Sequence, residues 1–388
     1  MPSLPNTNAR LAMLRGGALQ RGRSVSGDRL TDLQNFGANP GALCARIFIP
    51  DLLPKGAALV VVLHGCTQTA ADYDTGAGWS EMADRHGFAL LFPEQQRQNN
   101  PNLCFNWFSR EDSRRGVGEA LSIQQMVATV VGAHGIDPAR IFVTGLSAGG
   151  AMTSVMLATY PEVFAGGAII GGLPYGCANT IPQAFDSMRG HGMPGEVELA
   201  ALARGASDHP GPWPIISVWH GSGDSTVNPS NAPSIVGQWR ALHGVSVQPD
   251  RTEAVDGYPR RVWCDHEGRE VIEEYSITGM GHGTPLDTAG EHSCGRSGAY
   301  MLEASISSTH HICRFWGLIG REGETAREVQ VDSEPAMRKL IPLSASTAGD
   351  AAPASTTKLE APNFAASDPT KGVGKVIEDA LRAAGLMR

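Results

Sequence analysis

The chain has 388 residues, a formal net charge of −8 and seven cysteines, enough for one large α/β domain or two small ones. The acidic balance, without any basic cluster, argues against nucleic acid as a partner, and no apolar run approaches the length of a membrane span. None of the cysteines forms a C-x-x-C pair, which argues against a zinc or thioredoxin site; no metal and no other cofactor is expected.

Residues 1–30 are basic and mixed and read as an N-terminal arm. Between its arginines lies only Leu11-Ala12-Met13-Leu14, too short for the apolar core of a signal peptide, so the chain reads as cytoplasmic by sequence. Leu43 to Ile49 alternates as an early strand. Ala58 to Leu63 is a continuous apolar run, the signature of a parallel strand buried on both faces. It runs into His64-Gly65-Cys66-Thr67-Gln68. A turn at this place can aim a backbone N–H at a reacting carbonyl oxygen, and the candidate donors are the amides of Cys66 or Thr67 together with that of Ala148. His64 is a candidate substrate contact.

Trp79 to His86 reads as a helix and Phe88 to Phe92 as a strand ended by Pro93. Glu94 to Arg115 is long and polar, and its Trp107 is a second candidate substrate contact. Cys66 and Cys104 flank these loops and are the pair to test for a disulfide. Gly118 to Ala133 reads as an amphipathic helix stopped by His134-Gly135-Ile136-Asp137-Pro138.

Ile141-Phe142-Val143 then begins a short buried strand, followed by Gly145-Leu146-Ser147-Ala148-Gly149 and apolar residues at helical spacing. A serine between two glycines on a strand-to-helix turn is a nucleophile elbow. In a glycine-rich chain the bare pentapeptide is a weak signal, and the flanking strand and helix give it weight.

Ala165 to Leu173 reads as another strand. Residues 174–212 carry many Gly and Pro, with a helix around Glu196 to Arg204, and could form a partial lid. Ile215 to Trp219 is a strand ending at His220-Gly221-Ser222-Gly223-Asp224. Ile235 to His243 reads as a helix, Val255 to Cys264 and Val271 to Ile277 as paired strands. The second leads into Gly279-Met280-Gly281-His282-Gly283, and His310 to Leu318 is the last core helix. The catalytic domain is set at 31–342. Residues 343–372 turn to Ala, Ser, Thr and Pro and read as a disordered linker. Residues 373–388 read as a short amphipathic helix that could dock on the body or on a partner.

Strands alternating with helices predict an α/β fold of the α/β-hydrolase kind, with a mostly parallel central sheet. Ser147, Asp224 and His282 each follow a strand, in the chain order Ser, Asp, His that this fold uses. Ser147 needs a base to become a nucleophile. His282 can take its proton near neutral pH, and Asp224 can orient the ring. Asp208 and Asp256 remain alternative acids, His220 and His292 alternative bases.

LHGCTQTA at 63–70, the CFNWF loop, RRGVGEALSI at 114–123, GLSAGGAM at 145–152 and HGSGDSTV at 220–227 resemble polyhydroxyalkanoate (poly-3-hydroxybutyrate) depolymerase-type esterases, which are similar to feruloyl and acetylxylan esterases. The resemblance covers about 40–320. It implies ester hydrolysis through an acyl-enzyme, no metal, and a triad on Ser147, Asp224 and His282. It also allows an extracellular location. Many relatives carry a tryptophan just after the histidine, where this chain has Gly283-Thr284-Pro285. Secreted polymer depolymerases usually carry a leader and a polymer-binding domain, and neither is read here. The expected substrate is therefore a short hydroxyacyl ester, an oligomer or amorphous polyester. Feruloyl or acetyl esters of plant origin are the alternative, and a non-catalytic granule-associated protein on the same fold is the rival of another class.

Overall fold

A computed structural model describes residues 28–320. Most of the expected N-terminal arm, the linker at 343–372 and the helix at 373–388 lie outside the described residues.

Ten strands form one sheet: β1 (Thr31–Asp32), β2 (Cys44–Phe48), β3 (Leu59–Leu63), β4 (Ala89–Glu94), β5 (Ile141–Leu146), β6 (Gly166–Ile170), β7 (Ile215–Gly221), β8 (Arg251–Val255), β9 (Tyr258–Cys264) and β10 (Glu270–Ile277), in the order β1-β2-β4-β3-β5-β6-β7-β10-β9-β8. The six strands from β4 to β10 in that order run parallel, and β1, β2, β9 and β8 are antiparallel additions at the two edges. Two short parallel strands, β11 (Thr284–Leu286) and β12 (Met301–Glu303), pair separately.

Strand β3 explains the layering. All five of its residues are buried. Alternate side chains face opposite ways, so Leu59, Val61 and Leu63 enter one core and Val60 and Val62 the other. The first core is closed by α3 (Gly118–His134), α4 (Ala148–Thr159) and α7 (Asn231–His243), through Ile123, Met126, Met152, Val155, Ile235 and Trp239. The second is closed by α1 (Ala70–Ala77), α2 (Trp79–His86) and α8 (Ser308–Phe315), through Tyr73, Trp79, Met82 and Ile312. The remaining helices, α5 (Ile181–Met188) and α6 (Glu196–Arg204), occupy the 174–212 segment. Among the described residues no helix is long and apolar enough to cross a membrane.

The fold corrects several expected elements. Pro93 lies inside β4 rather than ending it. The β3 pairing stops at Leu91, so proline's missing N–H has no ladder partner to lose on that side. Val255 to Cys264 is not one strand. Asp256 and Gly257 both take positive φ, 49° and 84°, and turn the chain into the β8–β9 hairpin. A two-residue Asp-Gly turn of this sign matches the twist of a hairpin. Helix α7 starts at Asn231, four residues before the expected Ile235, because Pro233 falls in its first turn, where no intrahelical N–H bond is lost. Helices α1 and α5, each of eight residues, were not expected at all.

Candidate active site

Strands β5, β6, β7 and β10 are consecutive neighbours, and the loops leaving their carboxyl ends build the site. Crevices at this end of a parallel sheet are where such folds bind ligands.

The elbow comes first. Ser147 has φ 58° and ψ −117°, a region that side chains rarely occupy. It is held there from both sides: its N–H donates to Ile170 O at 2.9 Å, and its carbonyl accepts from Ala151 N–H at 2.8 Å. The flanking glycines are required by space. A Cβ on Gly145 would sit 2.5 Å from the backbone carbon of Gly149, and one on Gly149 would sit 2.3 Å from Leu63 O. The helix can therefore start directly against the end of β3.

Asp224 and His282 are brought together by the loops after β7 and β10. Ser222 N–H donates to Ile277 O at 2.9 Å, Gly223 N–H to Met280 O at 2.9 Å, and Gly279 N–H to Ser222 Oγ at 2.8 Å. A Cβ on Gly221 would lie 2.3 Å from Met280 O, so the two loops touch through backbone. The result is an Asp224 Oδ2–His282 Nδ1 hydrogen bond of 2.7 Å, with both side chains buried. The other carboxylate oxygen, Oδ1, accepts from the N–H groups of Thr226 and Val227 at 2.8 and 2.9 Å. Burial works to raise the Asp224 pKa, but the bonds from His220, His282 and Val227 N–H and the His282 charge outweigh it. The carboxyl is held well below the usual range and stays ionised.

Gly171, at the end of β6, ties the two halves together. Its Cβ position lies 3.3 Å from His282 Cε1 and 3.7 Å from Asp224 Oδ2. The preceding residue, Ile170, is the one that holds Ser147 N–H. Among the described residues Ser147 Oγ and the His282 ring are not yet hydrogen-bonded to each other. Such contacts commonly tighten when substrate arrives. Tyr300 stands edge-on to His282 with ring centroids 6.2 Å apart, at φ 60°. It lies 18 positions downstream of His282, and no local pattern marks it.

The turn after β3 departs from expectation at two residues. Thr67 N–H donates to Asn102 O at 2.7 Å and is not available to an oxyanion. The Cys66–Cys104 disulfide, Cα–Cα 4.3 Å, draws the 102–104 segment onto the turn and places that carbonyl there. No backbone bond takes the N–H of Cys66 or Ala148 among the described residues. Ala148 is in the first turn of α4, where amides have no intrahelical acceptor. His64 is not a substrate contact. It is 1% exposed. Its Nδ1–H donates to Gly65 O at 2.8 Å, and its Nε2 accepts Gln95 N–H at 3.1 Å. Burial pushes its pKa down to about 4 against the Gly65 bond and Asp72, so the ring is neutral and fully engaged.

Behind it lies a buried polar network. Gln95 Nε2 donates to Glu119 Oε1 at 2.6 Å and to Cys104 O at 3.1 Å, and Glu119 also accepts from Asn106 N and Nδ2 at 2.8 Å. Trp107 is 8% exposed and lines a cavity of about 400 Å³ with Tyr175, Arg110 and Arg114. The alternatives to the triad go elsewhere. Asp256 bonds His311 Nε2 at 2.7 Å, His292 stacks on His310 at 4.1 Å, and Asp208 is exposed in the insertion. His220 is adjacent, with Nε2 2.9 Å from Val227 O and 3.3 Å from Asp224 Oδ2, the oxygen that also bonds His282.

The family model described as Esterase PHB depolymerase matches residues 47–255. The chain is 49% identical over 297 residues to the poly(3-hydroxyalkanoate) depolymerase C of Paucimonas lemoignei, covering 75% of this chain and 70% of that one. It is 30% identical over 269 residues to feruloyl esterase B of Talaromyces funiculosus, covering 67% and 74%. Among solved structures it is similar to the acetyl xylan esterase from Aspergillus awamori, with a TM-score of 0.63 and 25% identity, over 75% of this chain and 99% of that one.

Proposed function

We propose a serine mechanism on the following premise: the chain belongs to the esterase PHB depolymerase family and is a carboxylic ester hydrolase with an α/β-hydrolase fold. Ser147 is the nucleophile, His282 the general base and acid, and Asp224 the group that orients the ring. The observation that carries this reading is the 2.7 Å Asp224–His282 bond at the strand ends beside the Ser147 elbow.

The Ser147 hydroxyl gives its proton to His282 Nε2 while Oγ bonds to the ester carbonyl carbon. The carbonyl π-electrons move to oxygen, which is stabilised by the amides of Ala148 and Cys66; losing one such donor costs about 3 kcal/mol. Collapse breaks the bond to the alkoxide, which leaves as an alcohol with the proton from His282. Water then repeats the sequence on the acyl-enzyme and releases the acid. Asp224, ionised and held by two backbone amides, keeps Nδ1 protonated and Nε2 basic. Trp107 and residues of the 174–212 segment line one cavity together.

The substrate is a short hydroxyacyl ester or a polyhydroxybutyrate oligomer, in line with the 49% identity to a poly(3-hydroxyalkanoate) depolymerase. Feruloyl or acetyl esters are the second reading, favoured by the feruloyl and acetylxylan esterase relatives. Ser147→Ala is expected to lower turnover of p-nitrophenyl butyrate by more than about 10⁴-fold without unfolding the protein. Turnover surviving that change would refute the mechanism. Parallel assays of 3-hydroxybutyrate release and ferulate release decide the substrate.

A further inference from the structure

We propose that the cavity between the 94–117 loop and the 174–212 segment is a carboxylate subsite, in which Arg110 and Arg114 hold the free acid end of a hydroxyacyl oligomer. The proposal rests on the esterase reading above and names the part of the substrate on the leaving-alcohol side of the scissile ester.

The two arginines sit four positions apart and both line the cavity. Each has its Nε–H committed to a neutral acceptor: Arg110 to Asn179 Oδ1 at 2.9 Å, Arg114 to Arg110 O at 2.8 Å. These bonds orient the guanidinium groups and leave their terminal nitrogens unspent. Neither forms an ion pair among the described residues. Glu198, the acidic residue of the lining, pairs with neither. Both guanidinium groups also lie close to Tyr175: burial pushes that phenol's pKa up, and the two cations act against it. In a chain of net charge −8, two solvent-exposed arginines without a salt bridge, both lining one cavity, are a recognition feature for an anion. The planar fork of a guanidinium matches a carboxylate with paired hydrogen bonds.

The rest of the cavity suits the chain that carries such a carboxylate. Trp107 and Leu202 supply apolar surface for methyl and methylene groups, and about 400 Å³ is adequate for a small oligomer. The position fits as well. Tyr175 is four residues beyond Gly171, so it stands within roughly 14 Å of the residue that touches His282. Trp107 is three residues beyond Cys104, which is bonded to Cys66 in the oxyanion turn. An oligomer with its scissile carbonyl at Ser147 and its acid end toward solvent would run from one to the other. The chemistry is unchanged: the hydroxy acid released in the first step carries this carboxylate away.

The test compares the free-acid trimer of 3-hydroxybutyrate with its methyl ester, using the full chain. Wild type is expected to show a KM for the acid at least about fivefold below that for the methyl ester, with the gap closing as NaCl is raised. Arg110→Gln with Arg114→Gln is expected to raise KM for the acid roughly tenfold, leaving kcat and the methyl ester within twofold. Equal KM values for acid and methyl ester in wild type, at low and high salt alike, overturn the subsite without using any variant. So does a double variant that weakens both substrates equally while retaining p-nitrophenyl butyrate activity. Failure of the esterase reading is separate: it appears as p-nitrophenyl butyrate turnover that survives Ser147→Ala.

Discussion

Gly149 is among the most tightly confined glycines near Ser147. Its missing side chain would meet Leu63 O at 2.3 Å and His64 O at 2.5 Å, both backbone atoms that cannot turn aside. Gly149→Ala is therefore expected to cost about 3 kcal/mol, read as a Tm lowered by several degrees, and to cut esterase activity with it. An alanine variant with unchanged Tm would remove the spatial reason for the motif. At this scale the pairing of Asp224 with His282 near Ser147 was legible. Ser147, Asp224 and His282 each sit just past a strand, within a few residues of the glycines that shape their turns, so short windows of sequence encode them. His64 and Thr67 were misread for the opposite reason. What their polar groups do is decided by Gln95 and Asn102, which arrive from a distant segment. Tyr300 was missed on the same ground.

The 95–106 segment is the element that the site leans on. It is bonded to the turn after β3 by the Cys66–Cys104 disulfide, by Thr67 N–H on Asn102 O, and by Gln95 N–H on His64 Nε2. The last bond needs a neutral imidazole. His64 has its pKa lowered from 6.5 to about 4 by burial, so between those values the unfolded chain takes up a proton that the folded one refuses. Its contribution to stability is present above about pH 6.5 and is lost as pH falls towards 4. Wild-type Tm is expected to fall across that window. A His64→Gln variant, less stable at pH 7, is expected to show a shallower fall; parallel curves would assign the acid sensitivity elsewhere. Elements were legible where their pattern was self-contained, as in the continuous apolar run of β3. They were lost where a two-residue turn was absorbed into a strand, as at Asp256-Gly257 near the start of what reads as one strand from Val255 to Cys264.

Across the whole molecule, the alternation of helices and strands was enough to foresee a parallel sheet covered on both faces, because each buried strand feeds two cores at once. The antiparallel edges were less visible, since the same residues pair either way. Those edges are blunted. At one end β1 is two residues long. At the other, β8 exposes Arg251, Thr252, Glu253 and Ala254, and its charges pair back into the sheet, Glu253 with Arg260 at 2.5 Å and Arg251 with Glu270. A ten-stranded sheet with an open flank would otherwise recruit a second molecule edge to edge. Arg251→Val with Glu253→Val is expected to keep the catalytic rate of the fresh protein while light scattering climbs during storage. Wild-type stocks should stay clear at the same concentration. The charged outer strand is thus expected to set how crowded a solution of this protein can become before its molecules pair edge to edge.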